Sequence, residues 1–183
     1  MKHAVDDGSN EPSRESVAIG LGANLGDARA TLAWAVQQLA AHPAVALQRV
    51  SSLYRTRPVA AEGPDYLNAV ALLTTSLDPH ALLGLLQGLE QQAGRERPYR
   101  NAPRTLDLDL LLYGQRKLNA TQLTLPHPRL HQRRFVLEPL AEVAPHLHVP
   151  GQASTSSLCA GLRDEAADQV VERVEGRLLT RPA

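Results

Sequence analysis

The residues with the clearest chemical potential lie in Arg100-Asn101-Ala102-Pro103-Arg104-Thr105-Leu106-Asp107-Leu108-Asp109-Leu110-Leu111-Leu112. From Leu106 onward the pattern alternates, which predicts a strand with Leu106, Leu108, Leu110 and Leu112 on one side and Asp107 and Asp109 sharing the other. Two carboxylates on one face repel each other and lose hydration, so a folded chain keeps them with a compensating cation or turns them to solvent. A hard divalent metal suits the first case, since Mg²⁺ is typically held by one or two carboxylates together with phosphate oxygens and water. The second case is an amphipathic edge strand. Four arginines (Arg95, Arg97, Arg100 and Arg104) crowd the approach to the strand and favour the first. Acids for a metal beside clustered guanidinium groups read as a polyphosphate site.

Other candidates are weaker one by one. Gly20-Leu21-Gly22-Ala23-Asn24-Leu25-Gly26-Asp27 reads as a loop after a first strand at 16–21, more a structural turn than a phosphate cradle, because it lacks both the dinucleotide fingerprint and the P-loop Gly-Lys-Ser/Thr. Asn68 sits early in an apolar run, and a buried Asn is either a member of a structural network or a reader of a heterocycle's edge. Glu90 reads as a solvated helix acid. His127, between Pro126 and Pro128, lies in a stiff segment followed by Arg129, Arg133 and Arg134, a setting in which an imidazole can donate to a phosphate oxygen.

The elements that must position these groups follow from capping and periodicity. Residues 1–15 read as a flexible polar tail, and residues 16–183 as a single domain. Asp27 is the expected N-cap of a helix to about residue 41, ended by His42-Pro43. One strand is expected around 44–54, another at 66–75. Asp78-Pro79 and Gly94 bracket a second helix with Leu82, Leu83, Leu85, Leu86 and Leu89 on its apolar face. Residues 95–104 are a loop, 118–121 a short strand, and 136–141 the start of a helix limited by Pro139. From about residue 145 the chain reads as loop-rich, including Ser154 to Ser157, and 170–179 is open between strand and helix.

Composition sets the outer limits. Acidic and basic residues balance at 19 each, so an anion site has to come from local clustering, and no basic face with interleaved aromatics favours a nucleic acid. No stretch reaches the length of a membrane span, and the lone Cys159 suits a reducing cytoplasm.

Taken together, the motifs resemble those of the 6-hydroxymethyl-7,8-dihydropterin pyrophosphokinase family of folate biosynthesis. The most specific is Arg100-x-x-Pro103-Arg104-x-x-Asp107-Leu108-Asp109-Leu110-Leu111. Gly22-Ala23-Asn24-Leu25-Gly26, Ser51 to Thr56, Asp65-Tyr66-Leu67-Asn68-Ala69 and Leu125-Pro126-His127-Pro128-Arg129 follow in the family's order, so the match spans roughly residues 17–148. The resemblance implies transfer of pyrophosphate from ATP to the hydroxymethyl group of a reduced pterin, leaving AMP. It also implies an α+β, ferredoxin-like βαββαβ core: an antiparallel sheet with helices on both faces in three αβα layers. Asp107 and Asp109 match ligands of two Mg²⁺ ions, with Asp109 also helping to activate the hydroxyl. Arg95, Arg97 and Arg104 match catalytic-loop cations, Arg97 and Arg104 being the catalytic ones. His127 and Arg133 match ATP-phosphate contacts, and Gln87 and Glu90 line the ATP side. Asn68, Tyr66 and Phe135 match the pterin side, completed around Thr56 and Val59. Expected partners are ATP and the pterin, with the chain a monomer and neither nucleic acid nor membrane involved. Two departures stand out: Asn101 where some members carry Trp, in a loop one residue shorter that leaves Tyr99 to replace it, and Arg57 where a Pro is common. Two rival readings are another Mg-dependent phosphotransfer enzyme built on the Asp pair and a non-catalytic nucleotide-binding paralog. The first leaves Tyr66, Asn68 and Phe135 without a role, and the second is opposed by the intact Arg104, Asp107, Asp109 and His127.

Overall fold

The computed structural model describes residues 13–58, 63–94, 105–176 and 178. Its central sheet is antiparallel throughout. Strand β1 (Glu15–Ala23) lies between β4 (Tyr66–Thr75) and β5 (Asp107–Tyr113). On its other side β4 receives two short strands in succession, β2 (Val45–Val50) and β3 (Leu53–Thr56). The single strand expected at 44–54 is therefore interrupted, and the interruption has a polar cause. The Val70 N–H donates to the Ser51 hydroxyl at 2.9 Å, and the Ser52 N–H turns away to the carboxylate of Glu142 at 3.1 Å.

Helix α1 (Ala28–Ala41) begins at Asp27, whose carboxylate accepts from the Ala30 N–H, and α2 (Pro79–Gln92) begins at Asp78, which accepts from the N–H groups of His80 and Ala81. Each cap satisfies N–H groups that the first helical turn leaves without partners. Gly94, at φ +79°, closes α2 in the left-handed region as expected. These helices cover one face of the sheet. Leu32, Val36 and Leu39 of α1 and Leu82, Leu86 and Leu89 of α2 pack with Val17, Ile19 and Leu21 of β1 and with Ala69, Ala71 and Leu73 of β4.

Helix α3 (Arg134–Val143) covers the opposite face and continues past Pro139 instead of stopping there. Helix α4 (Thr155–Glu165) packs beside it. The loop expected at Ser154 to Ser157 is in fact the start of α4, with the Ser154 side chain accepting from the Ser157 N–H at 3.3 Å. A serine cluster is as much a cap signature as a loop signature. Strand β8 (Val171–Val174) resolves the open question at 170–179 by pairing with β3. A small hairpin of β6 (Leu118–Asn119) and β7 (Thr124–Leu125) stands apart from the main sheet. The described residues thus form a mixed α/β structure with an antiparallel sheet and four α-helices, two on each face.

Two local departures shape the site. Strand β1 runs through Ala23, so Gly20 and Gly22 are strand residues and only Gly26, at φ +59°, serves as the turn glycine. The β1–β5 register shifts between Ala18 and Ile19, which pair with Leu112 and Leu110, so Leu111 is an extra residue. This bulge moves Leu112 to the α3 face together with Leu111, away from Leu106, Leu108 and Leu110.

Candidate active site

Asp107 and Asp109 do share a face, the one beneath α3. Asp107 pairs with Gly22 and Asp109 with Gly20, so two residues without side chains lie directly beside the carboxylates. On the far side of β1, Gly22 pairs with Asn68. A Cβ at Gly22 would come within 3.3 Å of the Asn68 carboxamide oxygen, so this glycine makes room for the asparagine. The two glycines form a flat floor between an acidic strand and an amide-bearing one.

Above that floor is a cavity of about 600 Å³. Thr56, Tyr66 and Asn68 line one side and Asp107 and Asp109 another, with Arg133 and Phe135 forming the roof. Asn68 is buried, and its NH₂ donates to the Thr56 hydroxyl at 2.9 Å. The Arg133 guanidinium lies 3.8 Å from the Asp109 carboxylate and 5.5 Å from the centre of the Phe135 ring. Facing the cation keeps the ring fixed and the guanidinium near the acids.

His127 lies outside the lining but within the same field. Its backbone N–H donates to the Leu111 carbonyl at 2.9 Å, and its ring Nδ1 accepts from the Arg129 backbone N–H at 3.2 Å. Burial, then the charges of Arg133 and Arg129, push the imidazole pKa down to about 4 against the pull of Asp107. A neutral ring with Nδ1 accepting carries its proton on Nε2, which makes it a donor.

The remaining expectations divide. Gln87 is exposed on α2 and lies outside the cavity lining. Glu90 is buried rather than solvated: it is 3 % exposed and accepts from the Leu108 N–H at 2.8 Å, between the two Asp residues. Its periodicity placed it on the flank of α2, but β5 is the last strand of the sheet and offers that flank a backbone donor. Val59, Arg95, Arg97 and Arg104 lie outside the described residues, as do Tyr99 and Asn101. Sequence reasoning gave no role to Gln132 or Gln169, both of which line the cavity with Arg57 and Arg129. Gln132 and Arg129 flank the His127 motif, which was a usable signal; Gln169 carried none.

Two carboxylates, each part-exposed at a cavity that also holds a guanidinium, fit a divalent cation completed by phosphate and water oxygens. Among the described residues no group of three or more His, Cys, Asp or Glu side chains is placed to hold a metal ion by itself. Fold and site thus define an α/β protein with an acid pair and an amide- and aromatic-lined pocket side by side. The family model for 7,8-dihydro-6-hydroxymethylpterin-pyrophosphokinase matches residues 18–145. The chain belongs to that pyrophosphokinase family.

Relatives named 2-amino-4-hydroxy-6-hydroxymethyldihydropteridine pyrophosphokinase agree. The one from Synechocystis is 44 % identical over 137 residues, covering 75 % of this chain and 70 % of the relative. The one from Bacillus subtilis is 46 % identical over 126 residues, covering 68 % and 75 %. The Pseudomonas aeruginosa protein is 39 % identical over 163 residues, covering 88 % and 98 %. Among solved structures, wild-type Plasmodium falciparum HPPK-DHPS with pterin and p-hydroxybenzoate superposes with a TM-score of 0.68 at 14 % identity. That match covers 87 % of this chain but 45 % of the Plasmodium chain, so this chain spans under half of that longer protein, and at such identity the likeness is one of fold.

Proposed function

We propose that this chain transfers pyrophosphate from ATP to the hydroxymethyl group of 6-hydroxymethyl-7,8-dihydropterin, giving the pterin diphosphate and AMP in folate biosynthesis. Family membership supports the reaction. The observation that carries it is the shared floor: Asn68 and the Asp107/Asp109 pair open into one cavity across a two-glycine strip. A heterocycle held at Asn68 then presents its substituent toward groups suited to a polyphosphate.

In this reading the substrate hydroxyl oxygen attacks the β-phosphorus of ATP. The bond from that phosphorus to the α–β bridging oxygen breaks, and AMP leaves with the electron pair. Asp109 takes up the hydroxyl proton. Mg²⁺ held by Asp107 and Asp109, in two ions, would offset the charge that develops on the phosphate oxygens. Arg133 would meet the phosphates from the roof and the Nε2–H of His127, from outside the lining, would donate to them, while Arg95, Arg97 and Arg104 supply further cations with Gln87 and Glu90 on the ATP side. Tyr66 and Phe135 hold the pterin ring, with Thr56 and Val59 at its rim. Little covalent work falls to the protein, whose task is alignment and exclusion of water as a competing acceptor.

The finer assignments belong to the same proposal. The strand order β5-β1-β4 followed by β2 and β3 supports a ferredoxin-like βαββαβ core, and we take the chain from residue 16 as one domain. Among the described residues no helix is long and apolar enough to cross a membrane. We take the chain to act in the cytoplasm as a monomer on small-molecule substrates.

Product analysis by mass tests the reaction. Protein incubated with ATP, Mg²⁺ and the reduced pterin should yield AMP and a pterin diphosphate, and neither when pterin or Mg²⁺ is omitted. ADP or inorganic phosphate as the pterin-dependent product would overturn it.

A further inference from the structure

Helix α3 carries Arg133 and Phe135 into the cavity, yet it lacks an ordinary cap. Its N-cap position is Arg133 itself, whose side chain makes no capping hydrogen bond to the helix. Ser, Thr, Asp or Asn usually fills this position and accepts from the first free N–H groups. An arginine has no acceptor and cannot do so.

The missing function is supplied from far along the chain. The Gln169 carboxamide oxygen accepts from the Arg134 N–H at 3.0 Å, and its NH₂ donates to the Gln132 carbonyl at 3.0 Å. Those two backbone groups flank residue 133 on either side. One planar amide thus bridges both neighbours of Arg133 and fixes its extended backbone at φ −121° and ψ 106°. Gln169 lies between α4 and β8, 35 and 37 residues from its partners, beyond the stretch matched by the family model.

We propose that Gln169 is the positioning residue for Arg133: its carboxamide clip aims the guanidinium over Phe135 and toward Asp109, where it meets the ATP phosphates. The assignment of a phosphate role to Arg133 rests on the function proposed above. The clip lets residue 133 be a cation at a place where helix capping would otherwise demand a small polar side chain. It also gives the C-terminal segment, α4 to β8, a direct part in building the site.

The test is a double-mutant cycle on the full chain, with the dissociation constant of ATP in excess Mg²⁺ measured by calorimetry for wild type, Gln169→Leu, Arg133→Ala and the double variant. Gln169→Leu keeps the volume and removes both hydrogen bonds. It should weaken ATP binding about tenfold, and adding it to Arg133→Ala should cost nothing further. Wild-type affinity in Gln169→Leu, or losses that multiply in the double variant, would overturn the clip. If Gln169→Leu fails to fold, Gln169→Glu serves: it keeps the acceptor for Arg134, loses the donor to Gln132 and should still weaken ATP, whereas wild-type affinity would sink the idea. The two proposals separate cleanly. Coupled ATP binding in a protein that makes no pterin diphosphate keeps the clip and removes the function, while pterin diphosphate formation with uncoupled variants does the reverse.

Discussion

The face of the sheet beneath α1 and α2 and the face beneath α3 and α4 are held by different physics. On the first, leucine, valine, isoleucine and alanine predominate, and Thr75, Glu90 and the Tyr113 hydroxyl add local hydrogen bonds. The second has an apolar patch of its own around Val70, Leu111, Leu137 and Leu140, but polar networks surround it. Glu138 is paired with Arg134 and Arg163, and Glu142 accepts from the Ser52 N–H and hydroxyl and from the Tyr54 hydroxyl at 2.8 Å. Tyr54 is correspondingly held protonated, its pKa raised by burial and then by Glu142. Non-directional burial supplies stability, whereas directional bonds hold side chains at set angles. The cavity opens on the face where angles matter, and the opposite face acts as a stiff support.

Mutations that separate activity from stability sharpen this contrast. Asp109→Ala should lower turnover about 10³-fold with the thermal midpoint near that of wild type, because a part-exposed carboxylate on the site face contributes chemistry rather than packing. Retained pterin diphosphate formation in this variant would break the metal assignment. Leu86→Ala should do the opposite. It empties a fully buried position on α2 and should cost about 2–5 kcal/mol of unfolding free energy, read from urea denaturation, with kcat per folded molecule unchanged. A tenfold fall in kcat there would show that the two faces are not separable.

The same contrast governs what could be read from the sequence. Periodicity and caps marked the apolar face: Asp27, Asp78-Pro79 and Gly94 bracket their helices as expected. The alternation of Leu106, Leu108 and Leu110 held, and it failed at Leu112 because one inserted residue reverses every side chain after it. On the polar face, local patterns named the groups but not their partners. Asp107, Asp109 and Asn68 are legible as types, yet the expected first strand stops at Leu21 and leaves Gly22 of the glycine strip in a loop, because pairing across β1 is a long-range event. Glu90 was misplaced for a similar reason, its acceptor role being set by Leu108, 18 residues on. Gln169 had no local signature at all.

The smallest expected effect is one of pH, and it separates the faces without touching the catalytic acids. His127 has a folded-state pKa of about 4, against 6.5 for the free side chain. As pH falls below 6.5 the unfolded chain binds a proton that the folded chain refuses, so stability declines through the window down to about 4, where the folded form protonates too. Glu138 is held below the usual carboxylate range by Arg163, so its contribution is present above 4.5 and is lost only at lower pH, outside the interval from pH 7 to 5. Discounted for the partial exposure of the ring, the loss across that interval is on the order of 1 kcal/mol. Urea midpoints at pH 7 and pH 5 should draw apart in wild type and in Leu86→Ala by the same amount, and close up in His127→Gln, which stays neutral throughout. An unchanged gap in His127→Gln would place the acid sensitivity elsewhere and remove the argument that His127 enters the site as a neutral donor, held so by burial and by the guanidinium groups of Arg133 and Arg129.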